Sequence, residues 1–211
     1  DELIVFRDLT LNRLTNVARI FPGRNRADGG FYPIDFSINE IRQLRLQNVF
    51  ESGNSSLSLP IPTLDEELSL IRLLEQRLKK QIGIALEIRY PWFHLREGKA
   101  VSEATLATLA RFGYGQGNSK LYLQCFDPEE LQRIHDKLMP ANQLSIPLIQ
   151  LIGENRGSDT SQQNLGRLTP YSYDWLFTNI GIRVLTSYAA AAALPSSSIF
   201  LTLRRMPGLN Y

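Results

Sequence analysis

Glu87 is the residue in this chain best placed to do chemistry. It lies near the end of an otherwise apolar run, Ile82 to Ile88, where a lone carboxylate is costly. Two readings follow from that position. Glu87 is either a metal ligand, or one half of an ion pair with Arg89 or another basic group. Two other places resemble it. Arg7-Asp8 ends the apolar run Leu3–Phe6, and Cys125-Phe126-Asp127 ends Leu121–Phe126. Arg7-Asp8 reads as a local charge pair. Cys125 reads as a small buried core residue without the surroundings of a nucleophile, and Asp127 as a helix cap. Only two histidines are present. His94 follows Pro91-Trp92-Phe93 in what reads as a loop, and is a candidate to line a site. His135 stands beside Arg133, Asp136 and Lys137 on a helix and reads as solvated. The two are not spaced as a metal-binding pair. Trp92, Phe93, Tyr114 and Tyr122 read as packing, because no basic groove accompanies them as base stacking would require.

The elements that must position these groups follow from periodicity and capping. Leu3–Phe6 reads as a buried strand. Arg19 to Phe31 is polar and glycine-rich, hence loop. Ser37 with Glu40 is a capping box and predicts a helix from Ile38 to about Leu46, and Glu51 to Ser58 reads as loop. Thr63 with Glu66 is a second capping box, and Leu64, Leu68, Ile71, Leu74 and Leu78 follow it at helical spacing. Lys79 and Lys80 suit that helix's C-terminus. Ile82–Ile88 reads as the second strand. A helix runs from about Val101 to Phe112 and closes at Gly113. Leu121–Phe126 is the third strand, Asp127-Pro128-Glu129-Glu130 opens a helix, and Ile146–Ile152 is the fourth strand. A last helix covers Ile180 to Ala192. The alternation predicts an α/β chain with a parallel sheet: half of a (β/α)8 barrel, or an open doubly wound sheet. Gly113-Tyr114-Gly115-Gln116-Gly117 precedes a strand, so it is a loop and not a dinucleotide fingerprint.

Bulk properties exclude several classes. A formal charge of +2 gives no case for nucleic acid as partner. No run approaches the roughly 18 apolar residues of a membrane span. One cysteine allows no internal disulfide. The chain opens on Asp1, directly before an apolar run and with no secretory signal ahead of it, which reads as a chain cut inside a larger fold.

The ordered segments Asp1-Glu2-Leu3-Ile4-Val5-Phe6-Arg7-Asp8, Leu11-Asn12-Arg13-Leu14-Thr15-Asn16-Val17 and Tyr32-Pro33-Ile34-Asp35-Phe36 carry a family likeness. So do Pro62-Thr63-Leu64-Asp65-Glu66-Glu67, Glu87-Ile88-Arg89-Tyr90-Pro91-Trp92-Phe93-His94, Glu97-Gly98-Lys99, Tyr122-Leu123-Gln124-Cys125-Phe126-Asp127 and Tyr173-Asp174-Trp175. In order and spacing they resemble the periplasmic type of glycerophosphodiester phosphodiesterase, from Asp1 to about Tyr188. The resemblance implies a partial (β/α)8 TIM barrel of about four to five of the eight βα units over residues 1–195, with an unassigned tail over 196–211. It implies hydrolysis of a small-molecule glycerophosphodiester to sn-glycerol 3-phosphate and an alcohol. A divalent cation, Ca²⁺ or Mg²⁺, would be held by strand-end carboxylates, with two histidines as acid and base.

Carried over residue by residue, Glu87 matches the metal-binding Glu of the family's Glu-Ile-Lys motif. Arg89 stands where that motif has Lys, with a different donor geometry. Arg7 stands where the family has a catalytic His, and Asp8 is retained. Arginine stays protonated and cannot act as a base. Asn12 replaces an Asp, while Arg13 and Thr15 remain. The family's His-Arg-Gly strand, its Glu-x-Asp metal pair and its final strand have no counterpart, and an alanine run follows Tyr188. The expectation is a family member with no catalytic residue intact, Glu87 as its one metal-side carboxylate, and Asp8 and His94 as substrate-side candidates. The alternative is a non-catalytic binding module that reuses a partial barrel, and a third reading has another chain completing the enzyme. The resemblance also implies a periplasmic location. An open sheet exposing edges at Leu3 and at the last strand, with Leu3, Val5, Ile149 and Leu151 on the bared faces and a degraded fifth strand near Ile199, predicts self-association.

Overall fold

The computed structural model describes residues 2–47, 59–116, 120–155, 157, 159–165 and 167–194. The chain divides into two compact units, Asp1–Lys79 and Lys80–Tyr211.

The first unit is helical and loop-built. It holds α1 (Val17–Ile20), α2 (Ile38–Ile41) and α3 (Leu64–Leu78). Leu11, Val17, Phe31, Phe36, Ile41, Leu44 and Ile61 form its core. Both capping boxes are present: Ser37 and Thr63 accept from the backbone N–H of Glu40 and Glu66, whose carboxylates reach back to the cap N–H groups. The helix after Ser37 stops at Ile41, well short of Leu46. The chain turns there to place Leu44 in the core, and Asn16 accepts from the Arg45 N–H at 2.9 Å. Asn12 ties two loops in the same way, accepting from the Phe31 N–H and donating to the Gly29 carbonyl.

Leu3–Phe6 is not a sheet strand. Ile4 makes a single antiparallel bridge to Thr63, with Leu64 N–H on the Leu3 carbonyl and Val5 N–H on the Pro62 carbonyl. Its pairing partner is the entry to α3, so the run is extended but one-sided, and Val5 is 45% exposed. The predicted sheet edge at Leu3 is therefore absent.

The second unit is the α/β part. Its parallel sheet has strand order β1 (Ile84–Ile88), β2 (Leu121–Cys125), β3 (Leu148–Leu151) and β6 (Ala191–Ala193). Helices α4 (Pro91–Arg96) and α5 (Val101–Arg111) join β1 to β2. Between β2 and β3 run α6 (Pro128–Arg133), a π-helical turn over Ile134–Leu138, and α7 (Met139–Ala141). The π turn lies just ahead of Pro140, which lacks an N–H and crowds the preceding turn. Between β3 and β6 come an antiparallel hairpin, β4 (Ser161–Asn164) with β5 (Arg167–Pro170), and then α8 (Asn179–Tyr188). Leu121, Leu123 and Cys125 of β2, Leu148 of β3, and Leu106, Leu109, Leu131 and Ile134 of the helices are buried. Arg133 bridges Glu103 of α5 and the buried Glu130 of α6 at 2.6 and 2.7 Å.

Four expectations change here. The helix predicted to Ala192 ends at Tyr188, and Ala191–Ala193 pairs with β3 instead. Ile149 and Leu151 are accordingly on an inner strand of the sheet, not on its edge. Pro91–Arg96, with His94, is a helix and not a loop. The hairpin has no counterpart among the elements predicted from the sequence. The tail over 196–211, with Ile199, lies outside the described residues. The described α/β sheet of four parallel strands forms no closed barrel, in keeping with a partial (β/α)8 fold.

Candidate functional site at the carboxyl ends of the strands

Glu87 and Arg89 are two residues apart at the end of β1, a spacing that puts both side chains on one face. Nη1 of Arg89 lies 2.6 Å from Oε1 of Glu87. Of the two readings of Glu87, the ion pair is the one observed. The side chains are 27% and 15% exposed, so the pair is largely screened from water.

The surroundings of Arg89 come from three loops at the same end of the sheet. Its Nη2 donates to the Tyr90 hydroxyl at 2.8 Å. Its guanidinium lies 4.6 Å from the Tyr90 ring centroid and 5.4 Å from that of Phe126, which follows β2. Asp159, from the segment between β3 and β4, places Oδ1 3.4 Å from the same guanidinium. Gly153 permits that approach: a Cβ there would stand 3.1 Å from the Asp159 carboxylate and 3.4 Å from the Phe126 ring. Tyr90 adopts a left-handed conformation, φ 49°, where β1 hands over to Pro91 of α4. Burial disfavours the Arg89 charge, yet the hydrogen bond and charge of Glu87, with Tyr90, outweigh it and hold the arginine above its usual pKa.

Behind this face, Gln150 of β3 is fully buried. Its amide donates to the carbonyls of Cys125, Phe126 and Leu151, and its oxygen accepts from the Tyr188 hydroxyl at 2.8 Å. The Tyr173 hydroxyl also donates to the Phe126 carbonyl, at 3.1 Å. These bonds fix the loop that carries Phe126. Burial pushes the phenols of Tyr173 and Tyr188 upward, so both stay protonated donors.

The remaining candidates have contacts of their own. Asp8 pairs with Arg13 at 2.9 Å in the first unit. The bends and turn that follow Asp8 bring the Arg13 fork back onto both carboxylate oxygens. Arg7 is exposed. His94 is half-buried on α4 and packs edge-on against Phe93, with centroids 5.6 Å apart; burial lowers its pKa. Cys125 is buried and its thiol pushed up by burial, so it is no nucleophile. Asp127 caps α6, accepting from the N–H groups of Glu129 and Glu130, although burial raises its pKa. His135 is partly exposed and contacts Asp136. Asp159, Tyr90 and Gln150 are site residues that sequence reasoning misses. Asp159 is 70 residues from Arg89 in sequence, and nothing local marks it.

A parallel α/β sheet that gathers charged groups beyond the carboxyl ends of its strands is the site architecture of (β/α)-barrel enzymes. The chain belongs to the glycerophosphoryl diester phosphodiesterase family, whose model it matches over residues 1–181. It is similar to the glycerophosphodiester phosphodiesterase of Treponema pallidum, 36% identical over 203 residues, which cover 90% of this chain and 57% of the relative. It is also similar to that of Haemophilus influenzae, 34% identical over 201 residues, with 89% and 55% covered. The chain thus spans a little over half the length of these curated relatives.

The family generally depends on a divalent cation. A hard cation takes about six or more oxygen ligands, several of them carboxylate. Among the described residues no group of three or more His, Cys, Asp or Glu could hold one, and the Glu87 carboxylate is engaged by Arg89. These residues do not fit the metal.

Proposed function

We propose that this chain carries the Glu87 side of a glycerophosphodiester phosphodiesterase site, and that this chain by itself does not hydrolyse glycerophosphodiesters. The reaction of that site is metal-dependent hydrolysis to sn-glycerol 3-phosphate and an alcohol, with Ca²⁺ or Mg²⁺ as the cation and a periplasmic setting. The observation that carries the reading is Glu87 at the carboxyl end of β1 in a chain of this family. Inactivity is supported by the Arg89 guanidinium on Glu87 and by Arg7 in the position of a catalytic histidine. Two carboxylates and one arginine leave the cluster with a net negative charge, which repels a phosphodiester anion unless a cation intervenes. His94 belongs to the proposal as a substrate-side group.

The same ion pair favours a second reading, a non-catalytic module that retains the fold. No helix among the described residues is long and apolar enough to cross a membrane. Self-association is part of either reading, because the described sheet ends in β1 and β6, whose outer edges can pair. Coupled release of glycerol 3-phosphate from glycerophosphocholine, with Ca²⁺ or Mg²⁺, is the test. Release at the metal-only background supports the proposal. Turnover that Glu87→Ala abolishes overturns the inactivity.

A further inference from the structure

We infer that the Arg89 guanidinium takes the place of a divalent cation at this site, bridging the carboxylates of Glu87 and Asp159. The inference rests on the reading of Glu87 as a metal-side carboxylate, and it adds Asp159 and the function of Arg89.

The geometry is that of an internal counter-cation. Arg89 stands 2.6 Å from Glu87 and 3.4 Å from Asp159, so one positive charge is shared between carboxylates that come from β1 and from the segment after β3. A metal ion at strand ends does the same, drawing together acids that would otherwise repel. The guanidinium is also confined. The rings of Tyr90 and Phe126 lie on it, and the Tyr90 hydroxyl takes another of its donors. Phe126 is itself held through its carbonyl by Gln150 and Tyr173. Asp159 acts through Arg89 and is a positioning residue, keeping the planar fork turned between two acids.

Residue type matters here. A guanidinium presents five donors in a rigid fork and can serve two carboxylates at once. An ammonium is a compact point charge on a flexible stem that serves one place at a time. Lysine in the same position could leave Glu87 to a cation while remaining in the site. Arginine at 89, with Asp159 opposite, closes that option.

Calorimetric titration of the whole chain with CaCl₂ tests the inference without reference to hydrolysis, so a failure of the proposed activity and a failure of this inference are read separately. Arg89→Gln is expected to bind Ca²⁺ at least tenfold more tightly than the parent chain, and to lose that gain when Glu87→Gln is added. Arg89→Lys, which keeps a positive charge in the site and guards against misfolding of the Gln variant, is expected to bind at least threefold more tightly. Unchanged affinity in Arg89→Lys, or a gain in Arg89→Gln that survives Glu87→Gln, overturns the inference.

Discussion

The Glu87 carboxylate accepts from Nη1 of Arg89 at 2.6 Å, two residues further along the same strand end. Asp159 comes to the same guanidinium from a segment 70 residues away. The sheet that brings them together depends on interactions that can be removed one at a time.

Gln150 is the first. It is fully buried and satisfies three carbonyls and one phenol. Gln150→Leu is expected to destabilise the second unit by about 1–3 kcal/mol for each buried group left unpaired. Chemical denaturation measures it. Tyr188→Phe in the same background should then cost less than it does alone, because its acceptor has already gone. Strictly additive losses would contradict the network.

Gly181 is the second. A Cβ there would run into the Trp175 carbonyl oxygen and lie 2.8 Å from Leu176 Cα. Backbone cannot yield as a flexible side chain does. Gly181→Ala should therefore cost about 1–3 kcal/mol, the range for forced overpacking, although alanine is the better helix former. A thermal melt as high as that of the parent chain would show that α8 can shift at no cost.

Acid should weaken the first unit through Glu40. Arg24, the Ser37 N–H and the Ser37 hydroxyl all stabilise its charged form and lower its pKa from 4.5 to about 2. A depressed carboxylate pKa contributes stability that is present above the unfolded value and lost as pH falls through the folded one. Melting temperature should thus drop between about pH 4.5 and pH 2, and drop less steeply in Glu40→Gln. Parallel curves for the two proteins would show that Glu40 contributes nothing to the acid sensitivity.

Cys125 should be silent in the folded chain. It is buried, and burial pushes its thiol upward, so little thiolate is available to react. Ellman's reagent at mildly alkaline pH should report no thiol until denaturant is added. Immediate labelling would mean that β2 opens readily.

Local signals account for much of this fold. Thr63 with Glu66, and Asp127 with Glu129 and Glu130, fix the starts of α3 and α6 by hydrogen bonds that reach only three residues. Ile84–Ile88, Leu121–Cys125 and Leu148–Leu151 are readable as buried parallel strands from their largely apolar character. Other elements obey longer-range demands. Leu3–Phe6 has the composition of a strand, but its partner is the backbone beside Thr63. Ala191–Ala193 has strong helix propensity and nonetheless pairs with β3, whose edge supplies hydrogen bonds that outweigh a few tenths of a kcal/mol, the usual roughly 0–0.7 per residue. Helix α4 is obscured by its start, where Tyr90 in a left-handed conformation hides the cap. Glu87 is legible because a carboxylate in an apolar strand is costly. Asp159 is not, since its role exists only once β1 and the segment after β3 are neighbours.

The pairing of Glu87 with Arg89 lies at the centre of the site, and a double-mutant cycle measures it most directly. Stabilities of the parent chain, Glu87→Gln, Arg89→Gln and the double variant, at neutral pH and low salt, give the coupling. An interaction of about 0.5–3 kcal/mol, the range for contacting residues in one charged network, is the predicted result. Coupling indistinguishable from zero would mean that Glu87 is free in solution and that Arg89 does not occupy it.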